Sequence, residues 1–138
     1  MVERKHTDRV VFHHSLTDEG NVDTFRDYHT KHNKWEDVGY HFVILKDGTL
    51  EKGRDIKYIG AHAQGKNSNS IGICLVGNFN NYEPSVEQLD ECLNIFHCLC
   101  RSYSKNLDID FHRLEPNPCP GTMFDREDFV EIVSRGRI

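Results

Sequence analysis

The run SIGICLVGNF, residues 70–79, restricts the fold more than any other part of the chain. It is apolar without alternation and is bounded by glycines, the pattern of a central strand. Successive side chains of a strand point to opposite faces, so an unbroken apolar run is buried on both. Both faces of the sheet therefore need covering, and the rest of the chain offers helices to do it. VEQLDECLNIFHCLCRSY carries Val86, Leu89, Leu93, Phe96 and Leu99 on a helical stripe, behind a capping box formed by Ser85 and Gln88. NVDTFRDYHTKH sets Val22, Phe25, Tyr28 and His29 at helical spacing and predicts a helix over about 22–32. Asp125 caps a last helix over about 126–134.

Further strands are interleaved with these helices. RVVFHHS, residues 9–15, is a first strand that ends in a pair of histidines. HFVILKDGTLEKG is a hairpin with a two-residue Asp47-Gly48 turn, because such turns need positive φ at their centre. LDIDF is a short strand that delivers His112. The order implies an α/β protein: one domain over 1–138, core about 8–134, with a mixed central β-sheet flanked by helices. At 138 residues, 37% hydrophobic and 28% charged, the chain is long enough for such a core and has an ordinary globular composition.

The formal net charge of −5 argues against nucleic-acid binding, which needs an excess of Lys and Arg. No apolar run approaches about 18 residues, so membrane insertion is not expected. MVERKHTDRVVFHHS contains no apolar h-region, so no secretory signal peptide is expected either. Five cysteines are an odd number, and Cys98 and Cys100 point in different directions on one helix. They read as buried apolar residues in a reducing compartment rather than as a disulfide framework.

Nine histidines are many for this length, and most have a plain setting. His6 and His32 lie among charged residues, and His97 falls on the polar side of the long helix. His13 and His112 differ, because each ends an apolar strand where a side chain projects into a cleft. Cys119 follows in FHRLEPNPCPG, in a loop stiffened by Pro116, Pro118 and Pro120. Two histidines and a thiolate make the three protein ligands of a catalytic zinc, whose fourth position is left to water. On spacing alone, His-x₆-Cys is no zinc-finger signature, and a chance arrangement stays open.

The segments VFHHSLT, WEDVGYHFVILKDGTLEKGRD, GAHAQGKNSNSIGICLVGNF and FHRLEPNPCPG occur in an order and spacing that resemble one family. It is the type 2 N-acetylmuramoyl-L-alanine amidases, which include amidase-type phage lysozymes and peptidoglycan recognition proteins. The resemblance implies one Zn²⁺ per chain, held by His13, His112 and Cys119 at the sheet edge, with His14 as the adjacent non-ligand. It further implies that Tyr40 is the active-site tyrosine and that His62 lines the substrate groove, in contact with substrate or transferring a proton. His41 reads as structural. The implied reaction is hydrolysis of the amide between N-acetylmuramic acid and L-alanine in peptidoglycan.

Two departures from the family pattern fall near the site. Phage-type relatives carry a lysine two residues before the cysteine ligand, where Asn117 stands here as the candidate catalytic helper. The His-to-Cys loop is one residue shorter than the pattern, and about one residue is inserted between His29 and Trp35. The resemblance implies a lysin that is cytoplasmic until release, acts on the wall as a monomer, and lacks an appended wall-binding domain. An RNA polymerase partner enters by analogy with the phage lysozymes alone. The alternatives are a non-catalytic peptidoglycan-binding module, against which Cys119 and Tyr40 speak, and a cytosolic amidase that recycles wall fragments. Amidases of that last kind use aspartate as third ligand and are longer.

Overall fold

The computed structural model describes residues 1–138. Its elements are β1 (Arg9–His14), α1 (Val22–Lys31), β2 (Phe42–Ile44), β3 (Leu50–Lys52), β4 (Ser70–Leu75), α2 (Val86–Tyr103), β5 (Asp108–Phe111) and α3 (Arg126–Ser134). The strands form one sheet in the order β3-β2-β4-β1-β5. β1 pairs in parallel with β4 and with β5, β2 pairs in parallel with β4, and β3 alone is antiparallel. The mixed sheet flanked by helices is the architecture the sequence implies. β4, buried at every residue, lies in its middle.

The two faces of the sheet differ in kind. One carries Val10, Phe12, Ile44, Ile71, Ile73 and Leu75 against α2 and α3 in an 18-residue apolar cluster. Phe12, Phe96 and Phe129 are fully enclosed there, each stabilising the fold by roughly 1.5–3 kcal/mol relative to exposure. The other face has a small cluster of Val22, Val38, Val43, Cys74 and Val76, with Phe25 and Tyr40 against it. Apart from Val11, the remainder of that face is mainly polar.

Three local expectations are corrected. The hairpin loop has three residues: Leu45 N–H donates to Thr49 O at 2.9 Å and Gly48 N–H to Leu45 O at 2.9 Å. Only Gly48, at φ 88°, needs the left-handed conformation, and the Asp47 carboxylate accepts from Thr49 N–H at 2.9 Å. β4 ends at Leu75 rather than near residue 79, because the chain turns away at Gly77, φ 155°. On α2 the buried face is Gln88, Cys92, Ile95, Phe96, Leu99 and Cys100, while Val86 is 68% exposed. Gln88 sets that rotation. Its amide donates to the Ile44 and Val76 carbonyls at 3.2 and 2.9 Å and accepts from Ser85 N–H at 3.1 Å. A buried amide with all these partners pins the helix over the ends of β2 and β4. All five cysteines are free; four are buried as expected, but Cys98 is exposed, because it lies on the opposite side of α2 from the buried Cys92 and Cys100.

His41, 1% exposed, ties β4 to the loop that precedes it. Its Nδ1 accepts from Gly72 N–H at 3.0 Å, which leaves Nε2–H to donate to Tyr58 O at 2.8 Å. Only the neutral ring makes both bonds, and burial lowers its pKa from the usual 6.5 to about 4. A histidine depressed in this way stabilises the fold fully above pH 6.5 and loses that contribution as pH falls toward 4. Thermal unfolding should therefore lose up to roughly 3 kcal/mol from this residue between pH 6.5 and 4. A His41→Gln variant, less stable at pH 7, should show a correspondingly shallower pH slope.

Candidate active site

In open α/β sheets, sites collect beyond the carboxyl ends of parallel strands. β1 and β5 end together there, because Phe12 pairs with Phe111. His112 N–H extends the ladder to Phe12 O at 3.2 Å. His13 and His112 consequently stand side by side, with ring centroids 4.7 Å apart. His14, the next residue on β1, faces the other way: its Nδ1 accepts from Phe79 N–H at 3.1 Å.

Cys119 arrives through a loop. Arg113 and Cys119 exchange backbone hydrogen bonds of 3.1 and 3.0 Å, closing the intervening residues into a ring that returns the cysteine beside His112. The Arg126 guanidinium donates to the Arg113 and Pro120 carbonyls, at 3.3 and 3.4 Å, and lies over the Phe111 ring. His14 N–H donates to the sulfur at 3.4 Å. The candidate ligand atoms of His13, His112 and Cys119 lie within 4.8 Å of one another.

Electrostatics prepares the histidines and leaves a proton on the thiol. Burial, with repulsion from His62 and His112, holds His13 well below the usual imidazole range. Burial, helped by Arg113 and Lys66, lowers His112 as well. Both rings are thus neutral at pH 7, each with a lone pair to give. Burial pushes the Cys119 thiol up to about 11, although the His14 N–H and two arginines pull the other way. A cation entering this site must displace that proton, and a divalent charge at bonding distance does so readily.

Tyr40 stands next to His13, with ring centroids 5.2 Å apart. Its loop is held by the buried Arg54, which donates to the carbonyls of Val38, Ile59 and Asp37 at 2.9, 2.9 and 3.2 Å. Burial, with Cys74 and Cys119 close, raises its phenol well above the ordinary range, so the hydroxyl keeps its proton. Two grooves, of about 670 and 760 Å³, meet at Ser15 and Tyr40. The first contains His13, His112 and Cys119, with Asn117 on its rim. The second runs along α1 past Phe25, Tyr28 and His29.

His62 does not reach either groove. It is 8% exposed and lies behind His13, its Nδ1 2.9 Å from His13 Nε2. Asn117 is exposed at φ 53°, and its carbonyl accepts from Arg113 Nε at 2.9 Å. Ser70, Arg54 and Arg126 also shape the site, and none stood out in the sequence. Ser70 left one signal: a serine at the head of a doubly buried strand needs a hydrogen-bond partner.

Two imidazoles and a thiol beside a groove are a donor set that would leave a tetrahedral cation one open position, as catalytic rather than structural metal centres do. The sequence profile described as N-acetylmuramoyl-L-alanine amidase matches residues 3–122. An endolysin of Enterobacteria phage K11 is 36% identical over 149 residues, covering 98% of this chain and 95% of its own. The endolysin of Escherichia phage T7 is 37% identical, covering 86% and 83%. The solved structure of N-acetylmuramoyl-L-alanine amidase LysC from Clostridium intestinale URNW superposes with TM-score 0.85 at 29% identity, over 94% of this chain and 86% of that one. The chain belongs to the N-acetylmuramoyl-L-alanine amidase family and is an enzyme of that class.

If Cys119 is a metal ligand, loading the protein with zinc near pH 7 should release about one proton per chain, from the thiol and not from the already neutral histidines. Calorimetry in buffers of different ionisation enthalpy reads that number. Apparent affinity should rise about tenfold per pH unit between pH 7 and 9, below the thiol pKa. A proton count near zero would remove Cys119 from the ligand set.

Proposed function

We propose that this chain is a lysin-type amidase that cuts the bond between N-acetylmuramic acid and L-alanine in peptidoglycan, using one Zn²⁺ held by His13, His112 and Cys119. The observation that carries the zinc assignment is the convergence of those three ligand atoms within 4.8 Å, beside a groove. Family membership supports the reaction, and the endolysin relatives, matched over most of their length, support the lysin setting. In that setting the protein accumulates in the cytoplasm and acts on the wall after release. All the candidate residues come from one chain, so a monomer suffices.

Zinc, when bound, polarises the scissile carbonyl and makes water a competent nucleophile at neutral pH. The chain itself supplies position and protons. The grooves on either side of Tyr40 can hold glycan and peptide stem together, with the amide lying over the His13–His112–Cys119 cluster. The Tyr40 hydroxyl, kept protonated by burial, donates a hydrogen bond to the oxygen that gains negative charge in the transition state. Asn117, on the groove rim, offers a neutral amide where phage relatives offer a lysine. It hydrogen-bonds substrate without countering that charge. Water adds across the amide, leaving a lactyl carboxylate and the free amine of L-alanine.

Zinc-loaded protein incubated with purified peptidoglycan should free L-alanine amino termini, identified by mass spectrometry of the muropeptides. Intact wall would favour a non-catalytic binding module. Tyr40→Phe should retain zinc and lose on the order of 10²–10³ in rate. Cys119→Ser should lose both metal and activity, and unchanged metal content would refute the ligand assignment.

A further inference from the structure

The polar face of the sheet contains a hydrogen-bonded chain whose every proton can be placed. It starts at the Lys66 carbonyl, which accepts from Ser70 Oγ–H at 2.7 Å. A hydroxyl has one hydrogen, and a carbonyl can only accept, so that hydrogen is committed. Ser70 Oγ must therefore accept from His62 Nε2–H, 3.2 Å away. A neutral imidazole carries one N–H, so His62 Nδ1 is left with a lone pair. The His62 ring is 8% exposed and hydrogen-bonds no carboxylate, so a charge there would go uncompensated and the ring is neutral, with its Nδ1 2.9 Å from His13 Nε2. The proton in that last bond belongs to His13 Nε2. His13 Nδ1 is then the nitrogen with a free lone pair.

The backbone is arranged around this ring. A Cβ on Gly72 would come within 2.4 Å of His62 Cγ, and one on Gly60 within 2.6 Å of Cδ2. Only glycine at both positions lets the imidazole lie flat on β4. Asn67 Oδ1 accepts from the His62 and Ala63 N–H groups, at 2.9 Å each, and fixes the backbone that carries the ring. The same segment touches the other histidine strand, since Lys66 Nζ donates to Phe111 O at 2.9 Å and pairs with Asp110 at 3.2 Å.

We propose that His62 and Ser70 are positioning residues that set the tautomer of His13, so that its Nδ1 and not its Nε2 is presented to the metal. The proposal rests on the metal-centre assignment above and gives His62 a role different from substrate contact. Outer-shell partners of this kind typically contribute 10–100-fold to metal affinity.

The test has a metal-free arm and a metal arm. Long-range proton–nitrogen NMR of the metal-free protein at pH 7 should show His13 and His62 both protonated on Nε2. Ser70→Ala should disturb the His62 tautomer. In competition with a chromophoric chelator, His62→Ala should bind zinc 10–100-fold more weakly than the wild type, at unchanged circular dichroism. His62→Gln keeps volume and an acceptor for His13 Nε2–H, so it should recover affinity to within a few-fold. It also serves if the alanine variant does not fold. A His13 protonated on Nδ1, or wild-type zinc affinity in both His62→Ala and Ser70→Ala, overturns the proposal. Wild-type zinc affinity in Cys119→Ser would instead overturn the metal-centre assignment, leaving the tautomers measured in the metal-free protein to stand by themselves.

Discussion

The hydrogen bond from His112 N–H to the Phe12 carbonyl extends the β1–β5 ladder one residue past the last paired strand residues. Strand side chains alternate, so a slip of one residue in that register would send His112 to the opposite face from His13. In the observed register both rings share a face and an edge. Everything else at the site is arranged around that pair. The Arg113–Cys119 backbone exchange is meaningful only because Arg113 directly follows His112, and the loop it closes returns its sulfur to the same edge. A parallel pairing is required as well, since it alone ends both strands on the side where the grooves open.

The two faces of the sheet divide the tasks of the molecule. Under α2 and α3 the apolar cluster supplies the burial that holds the sheet together. On the other face, buried polar groups are tolerated because nearly all find partners: His41 with Gly72 and Tyr58, His62 with His13 and Ser70, Arg54 with three carbonyls. An unpartnered buried donor costs about 1–3 kcal/mol, so such a network stays ordered only when it is nearly complete. Completeness also keeps the imidazoles neutral. A charged ring would have to leave water and would face another donor at one of its nitrogens.

Much of the architecture was legible because it rests on local chemistry. The Ser85 and Asp125 caps, the doubly buried run in β4 and the apolar strand before His13 act within a few residues of themselves. Two of the mistakes come from hydrogen bonds that no pattern of residue types displays. α2 is rotated because Gln88 reaches the ends of β2 and β4, which no stripe of leucines reveals. The turn at Asp47-Gly48 has three residues because Leu45 pairs with Thr49, which fixes where the hairpin closes.

The sequence by itself determined which side chains could do chemistry here. His13 and His112 each end an apolar strand, Cys119 sits in a stiff loop behind one of them, and the ordered motifs carry the family likeness. Their order along the chain cannot say which nitrogen faces which neighbour. The tertiary structure decided that His62, 49 residues from His13, lies behind it and outside the grooves. It also decided that Tyr40 borders both grooves and that Ser70 ends a chain of committed protons. The physical reason is that alternation along a strand assigns a residue to a face, whereas a hydrogen bond needs two groups within about 3 Å, from whichever parts of the chain the fold brings together.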